Sequence, residues 1–562
     1  MNLLLTLGHN SSAILVSSNG EVLCGYENER LTHVKSDSKF PIEAIQEIMK
    51  HHSIPVNVSV FVSHWFTNCI LPDLPNKWWD PITLFKLFPE ATVYSLDKDF
   101  THHDAHCYSA LAFLDKPEYN DHTVIVCDGF GNFGETLSIY RVNGSGREPE
   151  LIKRAFGYSS SLGLFYQYAT AYLGLTMNQD EYKLLGYEAH IYEHIICEKG
   201  LQILYREAEK LSSKFIQDIV SSSVVDKFDP MLSIDALPAL RENYRVFFDE
   251  LLAEVRLHKS MEIGKIRIAI SHFVQRVVEQ TLGYIVASYT PKDLLLVGGV
   301  FMNVKLNNYL SKIAPGYTSI MPLAGDQGAA IGVYHRHTGK FKWPGNLFWG
   351  KRHLYHIDND ILIRPRFNTL ENTVSAHKVI AALISQNYIV NIVHGNMEFG
   401  ARALGNTSTL ARPTEENVRY INQCNERSTI MPMAGACKIE FAEQIHGDDL
   451  YSIHKSMEYM ICTRDFKNTE HIKLRGAAHY DPVEQKFTGR TQIVRPGNII
   501  YDILNHTDDD VQLVINTSFN PHGKPILFNM IDVINGHNFM IERDIDDRVF
   551  TFVITRGSHV QV

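Results

Sequence analysis

Short apolar runs broken by Gly, Asn and Ser open the chain and predict a strand, a polar loop, a second strand, a tight turn and a third strand. Residues 3–7 are apolar and end in Gly8, His9, Asn10, Ser11 and Ser12; Ser18, Asn19 and Gly20 then separate two further runs. Asn-Gly between such runs is a strong hairpin signal, because both turn residues accept positive φ. The same plan recurs at residues 123–144, as TVIVCD, GFGNFG and ETLSIYRVNG. A repeated hairpin with a Gly-, Ser- and Asn-rich first connection is what a duplicated, phosphate-cradling α/β domain would carry; chance likeness of two hairpins is the competing explanation.

Helical spacing marks the segments between and after the hairpins. Residues 41–52 predict a helix with Pro41 at its first position, and the charged stretch 27–41 reads as a solvated surface loop. Leu162, Phe165, Tyr166, Ala169 and Tyr172 form one helical core face. Residues from about 191 to 263 are helical with charged faces and read as an insertion or cap. An amphipathic helix from Ile266 leads to an apolar strand, Gly298 and Gly299, and Asp326 opens another helix in LAGDQGAAIG. A helix N-terminus behind a strand is a natural phosphate seat, although close packing is the commoner reason for paired glycines. Between His335 and Arg366 periodicity is lost among Pro, Gly, aromatic and basic residues, which places a boundary there. The expected organisation is residues 1–335, a linker 336–366, and a second α/β unit 367–562.

At 562 residues with 45% hydrophobic and 21% charged positions, the chain is long enough for two or three ordered domains. Its net charge of −10 argues against a broad duplex-binding surface. Lys340, Lys342, Lys351 and Arg352 interleave with Trp343, Phe348 and Trp349, which would suit single-stranded nucleic acid or, equally, a packed linker. Eight cysteines without CxxC spacing fit reduced core thiols. No basic leader precedes the first strand and no apolar run approaches membrane-spanning length, so a cytoplasmic protein without membrane contact is expected.

The strongest chemistry lies in THHDAHCYSALA, residues 101–112. On a helix, His102 and His106 share one face one turn apart and can share a metal, with an ordinary polar helix end as the alternative. Asp128 and Asp326 each stand beside glycine after an apolar strand. Two histidines with two carboxylates suit iron, manganese or zinc better than calcium, and leave room for a substrate oxygen. In the second unit Arg402, Arg427, Lys438, Arg490, Asn520, His522 and Lys524 fall on separate loops, as in an anion pocket; for any single arginine a surface role is the rival reading.

Taken together, HNSSA, ENER, HHDAH, CDGFG, SLGLFY with EYKLLG, VGGVFMN, AGDQGAAIG, MEFGARALGN and NTSFNPHGKPI resemble the ATP-dependent O-carbamoyltransferases of the nodulation-factor, cephem and aminoglycoside type. The motifs occur in that family's order over nearly the whole chain outside the helical insertion. The resemblance implies an α/β protein: a duplicated actin-like ATPase (ribonuclease-H-like) N-terminal domain joined to an α/β carbamoyl-adenylate-forming C-terminal domain. In such enzymes carbamoyl phosphate and ATP give carbamoyl-adenylate and pyrophosphate, and the carbamoyl group then passes to a hydroxyl. Carried over by position, His102, His106, Asp128 and Asp326 would bind a divalent metal, with Fe²⁺ favoured over Mn²⁺ or Zn²⁺ and Mg²⁺ accompanying ATP. His9 would take the acceptor's proton, since imidazole titrates near neutrality. Gly129, Gly131, Gly298, Gly299 and Asn303 would line the nucleotide. Arg402, Arg427, Arg490, Asn520 and His522 would hold carbamoyl phosphate and the ATP phosphates.

The chain departs from the family pattern at Thr407, Asn425, Met431, His522 and Lys524, where Arg, basic residues or Glu are usual; Lys438 and Lys524 are the candidates for replacing the lost positive charge. The acceptor is left between a natural-product hydroxyl or hydroxymethyl group and the hydroxymethyl of a modified base such as 5-hydroxymethylcytosine in DNA, which would have to be extruded. Competing readings are an actin-like kinase or ATPase, which would release ADP, and a non-catalytic nucleotide-binding protein.

Overall fold

The computed structural model describes residues 1–65, 79–114, 121–131, 134–144, 148–188, 196–222, 236–257, 263–350, 366–427, 433–447, 450, 452–467, 470–481 and 485–555. The first half holds two five-stranded sheets. β1 (Asn2–Thr6), β2 (Ser12–Val16), β3 (Val22–Glu27), β4 (Ser59–Trp65) and β5 (Thr92–Leu96) are ordered β3-β2-β1-β4-β5. β6 (His122–Cys127), β7 (Glu135–Val142), β8 (Glu150–Phe156), β9 (Asp293–Val297) and β10 (Thr318–Ile320) are ordered β10-β9-β6-β7-β8. Counted within each set, both orders are 3-2-1-4-5, with the first three strands antiparallel and the first, fourth and fifth parallel. The echo of two hairpins thus extends to whole sheets, and the duplicated topology is that of the actin-like fold.

Helices His102–Phe113 and Ala329–Thr338 lie between the sheets. Ala105, Ala110, Ile331 and Val333 share a core with Leu4 and Phe61 of one sheet and Val124 and Val126 of the other. The helices touch backbone to side because Gly332 faces the Ala105 carbonyl: a Cβ there would stand 1.8 Å from that oxygen. The expected insertion contains helices Glu198–Ser221 and Ala236–Glu254, whose Phe215 and Phe248 pack on Phe165.

The second half is built on a mixed seven-stranded sheet. Its strands are β11 (Phe367–Glu371), β12 (Ile389–His394), β13 (Thr407–Ala411), β14 (Ala434–Lys438), β18 (Thr491–Val494), β19 (Leu513–Ser518) and β20 (Val549–Thr555), in the order β11-β20-β12-β13-β19-β14-β18. A small sheet of β15 (Arg464–Asp465), β16 (His479–Asp481) and β17 (Lys486–Gly489) sits beside it. The halves are joined by aromatic packing. Trp343 Nε1 donates to the Tyr459 hydroxyl at 3.1 Å, and Trp349 stacks on Phe399 with ring centroids 5.0 Å apart. Rings that could have stacked nucleic-acid bases are therefore used inside the protein; Lys351 and Arg352 lie outside the described residues.

Two sequence expectations need correction. Pro41 caps the helix Ile42–Met49 rather than forming its first residue. More consequentially, residues 27–41 are not a solvated surface loop: they contain the helix Asn28–Thr32, and Glu27, Asn28, Arg30 and Asp37 are buried. Their charges are matched internally, as Asp37 accepts from Asn28 Nδ2 and Thr32 Oγ1.

Candidate active site

The chemistry converges on one cavity of about 1150 Å³, bordered by loops of both sheets of the first half and by the second half. On its first wall, Thr101 starts the helix His102–Phe113 with a reciprocal capping box to Asp104, so His102 occupies the first helical turn. This cap sets the register that brings His102 and His106 to one face. Their Nε2 atoms lie 3.0 Å apart. His102 Nε2 is 3.2 Å from Asp128 Oδ2 and 3.3 Å from Asp326 Oδ1; for His106 Nε2 the same distances are 3.3 and 3.5 Å. Donors set 2.0–2.2 Å from a single ion at tetrahedral to octahedral angles would be roughly 2.8–3.6 Å from one another, so the four residues fit a divalent transition metal.

Without a cation the cluster needs protons to hold together. Burial opposes charge on His102, yet its hydrogen bonds to Asp128 and Asp326 outweigh burial and raise it well above the ordinary imidazole value. Burial likewise favours the neutral carboxyls, but His102 and His106 hold Asp128 and Asp326 far below the usual carboxylate range. A metal would replace those protons. Beside the cluster, His9 follows Gly8, whose φ of 98° turns the chain after β1; His9 Nδ1 lies 3.8 Å from Asp326 Oδ2. His64 at the end of β4 also borders the cavity; burial first and then the charge of His102 lower its pKa, against Asp326. It was not among the sequence candidates.

The expected nucleotide glycines divide into two groups. Gly129, Gly131, Gly299 and Asn303 border the cavity. Gly298 serves packing: its φ is 106° and a Cβ would lie 2.3 Å from the Cys127 carbonyl oxygen. Gly299 similarly leaves room for Asp128 Oδ1, which a Cβ would approach to 2.7 Å. Asn303 caps the helix Val304–Ile313 and donates to Gln275 Oε1 at 2.8 Å.

Arg402, Arg427 and Arg490 meet on the opposite wall. Arg427 donates to Thr517 Oγ1 at 2.9 Å and Ser518 Oγ at 3.2 Å. Among the described residues no carboxylate pairs with any of the three, and Arg402 Nε is buried without a partner. Burial, and then the like charges of Arg402 and Arg427, push the Arg490 guanidinium down to about 9. A guanidinium does not give up its proton readily, so this frustration is relieved by an anion instead. Lys35 and Lys183 of the first half and Lys524 of the second border the same space. Lys438 does not compensate for lost charge there: it donates to Asn505 at 2.7 Å and sits over the Tyr501 ring.

The arginine loop is held by two buried carboxylates, each within one of the motifs quoted above. Glu398 accepts from the backbone N–H groups of Leu404, Asn406 and Thr407 at 3.0, 2.8 and 3.1 Å and from the Thr407 hydroxyl at 3.0 Å. Glu27 of β3 accepts from Gly400 N at 3.0 Å, while Arg30 donates to both Glu27 and the Gly400 carbonyl. Asn520 places its amide donor on Lys524 O at 2.6 Å and Pro521 O at 3.2 Å, leaving its carbonyl oxygen buried and unpaired. His522 is exposed beside Arg427; partial burial and then that charge lower its pKa.

A duplicated actin-like fold with a two-histidine, two-aspartate cluster, opening onto an arginine pocket of a second α/β domain, defines a group-transfer enzyme. Residues 97–334 match the family model described as the carbamoyltransferase N-terminus and residues 381–551 that described as the carbamoyltransferase C-terminus. The chain belongs to the carbamoyltransferase family and is a transferase. An uncharacterised protein of Methanocaldococcus jannaschii is 26% identical over 558 residues, 94% of either chain. Nodulation protein NolNO of Sinorhizobium fredii is 23% identical over 94% of this chain and 76% of its own. The 3'-hydroxymethylcephem-O-carbamoyltransferase of Amycolatopsis lactamdurans is 24% identical over 53% of this chain and 54% of its own. Among the described helices none is long and apolar enough to cross a membrane.

Proposed function

We propose that the protein is an ATP-dependent O-carbamoyltransferase that makes a carbamoyl-adenylate at the arginine wall and passes its carbamoyl group to an alcohol at the histidine-aspartate wall. The observation that carries this reading is the continuity of the cavity, which has on one side three arginines without a carboxylate partner among the described residues and on the other the cluster. A shared cavity lets a reactive mixed anhydride pass between the two walls without first leaving the protein. Arg402, Arg427 and Arg490 would grip carbamoyl phosphate and the ATP phosphates. Atom balance requires that carbamoyl phosphate first be hydrolysed to carbamate and orthophosphate. A carbamate oxygen then attacks the α-phosphorus of ATP and expels pyrophosphate.

Gly129, Gly131, Gly299 and Asn303 would cradle the nucleotide end of the adenylate, with Gly298 supporting them. In the second half-reaction the alcohol oxygen attacks the carbamoyl carbon, His9 takes the hydroxyl proton, and AMP leaves. His102, His106, Asp128 and Asp326 would hold Fe²⁺, or Mn²⁺ or Zn²⁺ in its place, and the ion supplies Lewis-acid stabilisation of charge developing on oxygen. Mg²⁺ would accompany ATP. The acceptor is proposed to be a small natural-product hydroxyl or hydroxymethyl group in a reducing, cytoplasmic setting. The internal use of Trp343 and Trp349 and the net charge of −10 favour it over DNA-borne 5-hydroxymethylcytosine.

The test incubates metal-replete protein with ATP, Mg²⁺ and carbamoyl phosphate, with pooled alcohols or hydroxymethylcytosine DNA supplied in parallel. Carbamoyl-phosphate-dependent AMP, pyrophosphate and orthophosphate in equal amounts are expected, with a carbamoyl mass addition on the alcohol pool. Release of ADP would favour the kinase reading. Undiminished function after neutralising Asp128 and Asp326 would favour a nucleotide-binding role.

A further inference from the structure

Cations explain how the arginine wall takes a phosphate, but not how it would recognise the carbamoyl end. Asn516 sits in the middle of the second-half sheet, on β19, where it pairs with Leu410 of β13 and Ala434 of β14. It is 1% exposed, and borders the cavity. Its Nδ2 donates to Gln492 Oε1 at 2.7 Å and to the Ala403 carbonyl at 3.3 Å. Gln492 is oriented in turn, since its Nε2 donates to the Leu404 carbonyl at 3.0 Å. Two acceptors on Nδ2 fix which way the amide points, and they leave Asn516 Oδ1 buried with no partner.

Asn520, four residues on, repeats the arrangement. Its Nδ2 is used by Lys524 O and Pro521 O, and its Oδ1 is buried and unpaired at the border of the same cavity. A carbonyl oxygen buried without a donor is costly, and beside a ligand cavity the missing donor belongs to the ligand. Phosphate oxygens at neutral pH are acceptors and cannot satisfy these two groups. An –NH₂ group can, because it carries two N–H donors.

We infer that Asn516 and Asn520 accept hydrogen bonds from the amino group of the carbamoyl substrate, and so select carbamoyl phosphate against acyl phosphates that lack N–H. This rests on the carbamoyl reading proposed above and reassigns Asn520 from the phosphate to the carbamoyl end. Acetyl phosphate is the fitting probe, since a methyl replaces the amino group with little change of shape. A site built around a substrate N–H rejects the analogue lacking it by about 10⁴-fold.

The experiment measures kcat/KM for pyrophosphate release with carbamoyl phosphate and with acetyl phosphate, in wild type, Asn516→Ala, Asn516→Asp and Asn520→Ala. Wild type is expected to prefer carbamoyl phosphate strongly. Each alanine variant should lower that ratio by about 10- to 100-fold, with the loss falling on carbamoyl phosphate. Asn516→Asp keeps the acceptor and should keep the ratio although both rates fall. An equal fall with both substrates would mean that Asn516 only supports the arginine loop, and would overturn the inference. So would a wild type that uses acetyl phosphate as well as carbamoyl phosphate. If Asn516→Ala does not fold, Asn520→Ala decides, and an unchanged ratio there overturns it. A wild type that releases no pyrophosphate with carbamoyl phosphate refutes the carbamoyl reading itself and the inference with it. The former failures leave carbamoyl-phosphate-dependent pyrophosphate release in place, so the two are distinguishable.

Discussion

Replacing Arg30 by Met tests the electrostatic strap between the two halves. The Arg30 side chain is 1% exposed and that of Glu27 8%. Arg30 makes two hydrogen bonds to Glu27 Oε2 and one of 2.6 Å to the Gly400 carbonyl. Methionine fills much of the volume but leaves Glu27 with only the Gly400 N–H. Removing one member of such a buried pair costs about 3–5 kcal/mol. Burial already holds the Glu27 carboxyl above the usual carboxylate range, with Arg30 opposing it. Without Arg30 it rises further, so the folded variant keeps a proton that the unfolded chain has lost. Stability of the variant should therefore fall as pH rises from the unfolded carboxyl value of about 4.3 through the folded one, and recover on acidification. Urea unfolding followed by tryptophan fluorescence suits this, because Trp349 accepts from Gly25 N and Trp343 lies at the same junction. Adding Glu27→Leu should restore most of the loss by removing the stranded charge. A single variant losing less than about 1 kcal/mol, or a double variant no more stable than the single, would refute the strap.

Further consequences can be read independently. Metal analysis of the purified chain should give one transition metal per protein, and His106→Ala or Asp326→Asn should drop occupancy well below one; removing the metal should stop transfer to the alcohol while Mg²⁺ still supports carbamoyl-phosphate-dependent pyrophosphate release. Glu398→Gln turns an acceptor of three backbone N–H groups partly into a donor, and should cost about 1–3 kcal/mol while raising the KM for carbamoyl phosphate, checked by thermal unfolding and steady-state kinetics. His446 is pushed down to about 4, chiefly by burial. The unfolded imidazole protonates first, so its contribution is present above about pH 6.5 and is lost as pH falls toward 4, by roughly 3 kcal/mol at most. Unfolding curves of wild type and His446→Gln should differ in slope only within that window.

What the sequence revealed is what local spacing encodes. His102 and His106 are one helical turn apart, and Asp128 and Asp326 each stand beside a glycine after an apolar run, so four candidate ligands could be grouped before any long-range contact was known. The hairpin echo became a sheet duplication for the same reason, since each copy repeats its own short-range turns. Charge was far less legible. Arg30 and Arg402 look alike along the chain, yet Arg30 is neutralised by Glu27 three residues away and donates to a carbonyl 370 residues away, while Arg402 has no counter-charge among the described residues. Lys438 and Lys524 were equal candidates, and Asn505 removes the first from the site. Partner counting of this kind needs the fold. One signal was nevertheless present and overlooked. Asn516 interrupts an apolar strand in VQLVINTSF, and a polar side chain in the middle of a central strand is costly unless it is bonded. Such a residue predicts either a buried network or a ligand, and here its donor is used by Gln492 while its acceptor stays open at the cavity. Charged runs mark where solvent or salt bridges are expected; a lone amide in an apolar strand marks where a specific partner must arrive, and it is the sharper guide to substrate chemistry.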